Sequence, residues 1–181
     1  LSSDGNTVAI GAPNNDGNGT NSGHVRIYNW SGTSWSQLGQ DIDGVAAGDQ
    51  SGYSVSLSSD GNTIAIGATG NNGNDTIIPG TPGSERGHVR IYNYNGSSWI
   101  NMTLDGNWGG VDNVGEHVSL QLDSGNWPHV AYYNATAGDL MYMYNDGNSW
   151  YRQTAYSTNN VGQHASLVLD SADNPHFSHY N

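Results

Sequence analysis

Apolar residues alternate with small polar residues in short runs along the chain. Within residues 52–62, Val55 and Leu57 alternate with serines, and the pair Asp60-Gly61 follows them. A period of two is the pattern of a β-strand, and Asp-Gly is a strong signal for a hairpin turn. Three further strands with the same character are predicted over 63–68, 88–94 and 97–106. This stretch therefore predicts one four-stranded antiparallel unit.

The sequence of this unit is repeated almost without change. LSSDGNTVAIGA at 1–12 returns as LSSDGNTIAIGA at 57–68, and GHVRIYNW at 23–30 returns as GHVRIYNY at 87–94. The loop between these two phrases is eight residues longer in the second copy, while the strands are unchanged. A surface loop on a rigid scaffold tolerates such growth. We therefore expect the face that carries loops 13–22 and 69–86 to be the binding surface.

A second type of unit occupies the rest of the chain. GEHVSLQLDSGNWPHVAYYN at 115–134 recurs as GQHASLVLDSADNPHFSHYN at 162–181. Tandem four-stranded units of about 45–60 residues are typical of β-propeller blades. The sequence predicts an all-β fold, a propeller segment of about three and a half blades from a larger propeller. Its parts are a partial blade, two blades and two strands of a further blade, over 1–50, 51–110, 111–160 and 161–181. The alternative is a small ring that closes by sharing a split blade between the termini.

Composition narrows the classes of partner. The 181 residues carry a formal net charge of −12, with no lysine and four arginines. Such a surface repels nucleic-acid backbones and anionic lipid, so neither is an expected partner. No apolar run approaches the roughly 20 residues of a membrane span, so this segment is not expected to insert into a membrane. Zero cysteines exclude disulfides and thiolate metal sites.

Residues 51–68, SGYSVSLSSDGNTIAIGA, and the tripeptide Gly-Ala-Pro at 11–13 resemble the FG-GAP repeat of integrin α-chain propellers and their bacterial relatives. The resemblance covers about residues 1–105. It implies a secreted or cell-surface propeller that binds, adheres or has a structural role, with other surface proteins, glycans or further blades of the same chain as partners. Residues 115–181 resemble a different bacterial propeller repeat, of the type G-x-H-x-S-L-x-L-D-S followed by P-H.

Family members carry a calcium loop of the form D-x-D-x-D-G before the second strand, whereas this chain has single aspartates there, flanked by serines. Aspartates recur at that turn in each unit, at Asp4, Asp60, Asp123 and Asp170. A recurring turn aspartate is predicted to cap the backbone of its own hairpin. Asp16 and Asp75 lie instead in the long loops among amide oxygens, which makes them the candidate Ca²⁺ ligands.

Histidines recur with the same spacing, at His117 and His129 and again at His164 and His176, with His179 beside the last. A side chain that repeats with each blade favours packing or hydrogen bonding, because a catalytic site breaks the symmetry of a repeat. A metal ion bound in the central channel is the alternative.

The sequence shows no nucleophile–base motif, HExxH motif or phosphate-binding loop, so we predict a non-catalytic protein. Two other functions remain open. One is an enzyme whose active site needs blades absent from this chain. The other is a carbohydrate-binding propeller, with Trp108 and Trp127 as stacking platforms because they lie outside the repeating tryptophan position. Possible N-glycosylation sequons occur at Asn18, Asn29, Asn74, Asn95, Asn101 and Asn134.

Overall fold

The computed structural model describes residues 1–70, 87–105 and 112–180, with the side chains of 103–105 left out. Within these ranges the chain is all-β, with fourteen strands and no helix. The strands form three four-stranded antiparallel sheets and one two-stranded sheet, in the manner of successive propeller blades. The fold class predicted from the repeats is confirmed.

The first sheet consists of four strands, of which the last two are short. These are β1 (Thr7–Ala12), β2 (His24–Trp30), β3 (Trp35–Gln37) and β4 (Ile42–Asp43). Both β3 and β4 pair with β2, one at each end of it. Together they occupy the place of a single outer strand that is interrupted at residues 38–41. The sheet therefore fills the second to fourth strand positions of a blade.

The next two sheets each contain four strands in consecutive order. The second sheet is formed by β5 (Ser51–Leu57), β6 (Thr63–Ala68), β7 (His88–Tyr94) and β8 (Trp99–Asp105). The third is formed by β9 (Val114–Leu122), β10 (Pro128–Asn134), β11 (Asp139–Asn145) and β12 (Trp150–Tyr156).

The last sheet is a hairpin of β13 (Gln163–Leu169) and β14 (Pro175–Tyr180). In the described part of the chain these two strands pair only with each other. The alternative of a small ring closed by a blade shared between the termini is therefore wrong.

The hydrophobic core is divided among the spaces between successive sheets. Ile64 and Ile66 of β6 pack toward the first sheet, whereas Ala65 between them packs toward the third. The period of two along a strand sends neighbouring side chains to opposite faces, so one strand serves two cores. A third cluster, which includes Tyr142 and Leu167, joins the third sheet to the last. Each sheet is thus held by face-to-face packing on its neighbours.

The repeated Ile-Gly-Ala phrase has a steric cause. A Cβ atom on Gly67 would lie 1.8 Å from the carbonyl oxygen of Gly115, at the start of the next sheet. Likewise, a Cβ atom on Gly11 would lie 2.1 Å from the carbonyl oxygen of Gly52. Only glycine lets two backbones approach this closely. Gly11 and Gly67 therefore set the spacing between sheets.

Candidate functional site

One end of the sheets carries the connections from second to third strands and the connections from one sheet to the next. We call this end the loop face. Loop 13–22 lies there against the segment that leads into β5. The N–H of Gln50 donates to the carbonyl of Asn21, and the N–H of Ser51 donates to the carbonyl of Ser22, each over 3.0 Å. Loop 13–22, which is expected to be functional, thus supports the segment that connects the first sheet to the second.

A polar cavity of about 490 Å³ opens on the loop face between the second and third sheets. We call it the loop-face pocket. Its lining comes from three separate segments of chain: Gly48, Gln50, Tyr53, Thr69, Gly70, Asn113 and Glu116. Because the first segment lies against loop 13–22 and the second begins loop 69–86, the pocket lies on the surface that the sequence indicated.

The lining combines hydrogen-bonding groups with one aromatic ring. The Thr69 hydroxyl donates to Gln50 Oε1 over 3.0 Å, which fixes the amide of Gln50. Tyr53 is 51% exposed. Glu116 provides a carboxylate that lies 4.0 Å from His117 Nε2. An aromatic face beside amides, a hydroxyl and a carboxylate can bind a polar, uncharged ligand that has some apolar surface.

Sequence reasoning missed Gln50, Tyr53, Asn113 and Glu116. A signal for two of them was present, because Tyr53 and Glu116 hold the same place in their repeats, directly after the inner-strand glycines Gly52 and Gly115. The glycine repeats while the residue after it changes. Gln50 and Asn113 belong to sheet-to-sheet connections, where the repeat gives no pattern to compare.

The two calcium candidates have different outcomes. Asp75 lies outside the described residues. Asp16 lies in loop 13–22, where its Oδ1 accepts the N–H of Asn21 over 2.8 Å and so closes its own loop. Ca²⁺ needs six to eight oxygen ligands. Asp16 contributes one carboxylate that is already partly engaged, and calcium binding there stays a prediction.

The recurring aspartates cap their own turns, as expected. Asp4 and Asp60 accept the N–H groups of Asn6 and Asn62 over 2.9 and 3.0 Å. A serine two residues before each aspartate, Ser58 in the second copy, donates its hydroxyl to the same carboxylate. Partial burial acts to raise the pKa of Asp60, but these hydrogen bonds together outweigh it and hold that pKa below its usual value. The serines that stand where calcium ligands would be needed therefore complete a turn.

In the second type of repeat, a histidine on the strand after the turn lies beside the turn aspartate. Asp123 Oδ2 lies 3.5 Å from His129 Nε2, and Asp170 Oδ2 lies 3.2 Å from His176 Nε2. The other ring nitrogen of His129 bonds to the hydroxyl of Tyr142. These contacts agree with the predicted structural role of the repeating histidines, which stays a prediction.

His117 and His164 face each other across two sheets. Their ring centroids lie 4.2 Å apart, on the first strands of the third and last sheets. Both residues have left-handed backbones, with φ of 54° and 52°. Burial, together with repulsion from His164, lowers the pKa of His117. The neutral form of His117 is therefore favoured.

The described residues contain one group of three side chains spaced to hold a metal ion. It consists of His24, Asp41 and Asp43, whose ligand atoms all lie within 4.8 Å of one another. The group lies where β2 and β4 meet, beside loop 13–22. It was not predicted, because it depends on the register between two strands.

The two tryptophan candidates have different outcomes. Trp108 lies outside the described residues. Trp127 is 38% exposed and its ring covers Gly147 in the turn before β12. That turn is at the end of the third sheet opposite the loop face. Trp127 is thus on a separate surface from the loop-face pocket.

The asparagines of the N-glycosylation sequons differ in how accessible they are to solvent. Asn95 and Asn101 are exposed, whereas Asn74 lies outside the described residues. The side-chain nitrogen of Asn18 donates to the carbonyl of Gly44 over 2.8 Å, and that of Asn29 donates to backbone and hydroxyl oxygens of the neighbouring strand and turn. Asn134 is 3% exposed, which leaves no room for a glycan on its amide. This burial disfavours glycosylation of the folded protein at Asn134, and glycosylation at the six sequons stays a prediction.

None of the described segments forms a helix with the length and apolar character needed to cross a membrane. A comparison of the sequence with models of known protein families finds no match, and a comparison with curated proteins finds none either.

Proposed function

We propose that this chain is a non-catalytic binding segment of a secreted or cell-surface β-propeller and that it binds through the loop face. The observation that carries the proposal is the loop-face pocket. It is built from three segments and combines an exposed tyrosine with fixed polar groups. In propellers the rigid sheets position such loops, and binding residues are concentrated on loops held by a scaffold.

Two further observations support a binding role over catalysis. The turn carboxylates Asp4, Asp60, Asp123 and Asp170 are occupied as backbone caps. The pairs Asp123–His129 and Asp170–His176 repeat from sheet to sheet, as structural devices do. The acidic, lysine-free surface and the resemblance to FG-GAP repeats agree with a location outside the cell.

The test uses paired surface variants and a panel of immobilised glycans and purified extracellular proteins. We expect Tyr53→Ala combined with Glu116→Gln to abolish binding to whichever members the wild type retains. Trp127→Ala, on the opposite end of the third sheet, is the matched control and should bind as the wild type does. Equal binding by all three proteins would rule out the loop-face pocket, and loss only in Trp127→Ala would move the site to the opposite end.

A carbohydrate is the second candidate ligand, and the exposed ring of Tyr53 favours it. Sugars stack their apolar faces on aromatic rings while amides and carboxylates bind their hydroxyls. Gln50, Asn113 and Glu116 line the same pocket as that ring. A glycan array separates this candidate from a protein partner. Retention of a defined family of neutral glycans, lost on Tyr53→Ala, supports the carbohydrate, and retention of proteins alone excludes it.

A further inference from the structure

A group of complementary side chains lies on one face of β2 and β4. His24 is the direct cross-strand partner of Asp43. Side chains alternate along a strand, so residues two apart lie on the same face. Arg26, two residues after His24, and Asp41, two residues before Asp43, therefore lie on that face too. Arg26 Nη2 lies 2.8 Å from Asp41 Oδ2. The register of two short strands therefore brings two carboxylates and one imidazole together.

His24 is the buried member of the group. It is 7% exposed, and the structure records no hydrogen bond to either of its ring nitrogens among the described residues. One ring nitrogen lies within 4.8 Å of an oxygen of each carboxylate. A cation placed between them could therefore be bound by all three side chains at once.

Asp41 is oriented before any ion arrives. Arg26 Nε donates to both of its oxygens over 3.0 Å, and Gln37 Nε2 donates to Oδ1 over 2.6 Å. Outer hydrogen bonds of this kind orient metal ligands. Arg26 neutralises one of the two carboxylates, so the group keeps one negative charge. The carboxylate of Asp43 and the imidazole of His24 are the ligands without a fixed donor.

The group also breaks the internal repeat. In the second sheet His88 has the place of His24, but Leu104 pairs with Arg90 where Asp41 faces Arg26. A side chain required only by the fold would recur with the strands around it. Between the first two sheets, as far as the described residues go, the carboxylate of Asp41 is therefore a feature of the first sheet that the second does not repeat.

We propose that His24, Asp41 and Asp43 bind a divalent first-row transition-metal ion, for which Zn²⁺ is the probe. One imidazole and two carboxylates suit Zn²⁺ with three protein ligands and an open position, whereas Ca²⁺ prefers oxygen ligands alone. Loop 13–22 lies beside the group, since a Cβ atom on Gly17 would lie 3.8 Å from Asp43 Oδ1. The bound ion would tie the outer strand to the base of that loop.

The experiment is calorimetric titration of the metal-free chain with Zn²⁺, followed by titration with Co²⁺ and visible absorption. We expect one Zn²⁺ per chain and a Co²⁺ spectrum typical of nitrogen and oxygen ligands. Asp43→Asn should weaken binding by about tenfold to a hundredfold or more, because an amide oxygen is a poorer ligand than a carboxylate. Asp43 is exposed, so this variant keeps the buried packing, which circular dichroism verifies.

The matched control is Asp139→Asn, which removes one carboxylate at the position in the third sheet that corresponds to His24 in the first. It should bind Zn²⁺ as the wild type does. Equal affinity in wild type and Asp43→Asn would overturn the proposal, since the ion would then sit elsewhere, for example at the His117–His164 pair. Absence of Zn²⁺ binding by the wild type would overturn it as well.

Discussion

The hydroxyl oxygen of Ser119 accepts the backbone N–H of Leu167 over 2.9 Å, from the first strand of one sheet to the first strand of the next. The same bond joins Ser56 to Leu120 one sheet earlier, also over 2.9 Å. Both serines are the middle residue of a Val-Ser-Leu sequence in the first strand of their repeat. The same kind of side-chain hydrogen bond thus connects the second sheet to the third and the third sheet to the last.

Replacing Ser119 by alanine should lower the free energy of unfolding by about 1–3 kcal/mol, because the Leu167 N–H would lose its acceptor in a partly buried place. Urea denaturation followed by tryptophan fluorescence measures the change. Ser166 has the corresponding position in the last sheet and is exposed, so Ser166→Ala is the control. Equal effects of the two substitutions would show that the hydrogen bond between sheets contributes nothing.

Gly67→Ala should prevent normal packing of the second sheet on the third. The new methyl group would lie 1.8 Å from a backbone oxygen, which cannot move without shifting a strand. Gly96→Ala provides a comparison. Nothing lies within 4 Å of a Cβ atom at that position, so its only destabilising effect is the backbone strain of an alanine at a φ of 96°. That cost is about 1–2 kcal/mol. Thermal melts should therefore show a much larger loss for Gly67→Ala, and similar losses would contradict the steric explanation.

Trp99 and Trp35 share a repeat position but differ in surroundings. Trp99 is 3% exposed and its Nε1 donates to the carbonyl of Leu38 in the first sheet over 2.8 Å, whereas Trp35 is 47% exposed. Trp99→Phe should cost about 1–3 kcal/mol through the lost bond and the cavity, and Trp35→Phe less than about 0.5 kcal/mol. Chemical denaturation of both variants tests the difference, and a larger loss at Trp35 would refute it.

Stability should fall as the solution becomes acidic, partly because of His117. Its folded-state pKa lies below the ordinary value of 6.5. Below that pH the unfolded chain takes up a proton that the folded chain still refuses, so the free energy of unfolding decreases; the loss grows until the pH reaches the lowered folded pKa and stays constant below it. Above 6.5 neither state is protonated and the penalty vanishes. His88, whose pKa burial lowers further, adds its own loss in the same direction.

His117→Asn should therefore reduce the loss of stability between about pH 7 and pH 5. Asparagine is chosen because it tolerates the left-handed backbone found at this position. The groups that face His117 are His164, Glu116 and Tyr133, all of which remain in the variant. His179→Asn, at the exposed end of β14, is the control. An unchanged pH dependence in His117→Asn would mean that His117 does not contribute.

The strands and turns could be predicted from the sequence because each depends on local pattern. A period of two, an Asp-Gly turn and a near-perfect repeat are all contained within a few residues. The loop-face pocket could not be predicted in the same way, since Gln50, Tyr53 and Glu116 meet only when two sheets pack. His24 and Asp43 meet only through the register of β4, a strand of two residues after an interruption.

The division of the apolar residues into three clusters, each between two sheets, has a mechanical consequence. Because each cluster joins only two neighbouring sheets, a mechanical force passes from one sheet to the next and not through a single shared core. We expect tension applied between the chain ends to peel the sheets away one at a time, giving a series of small extensions where a single core would give one rupture.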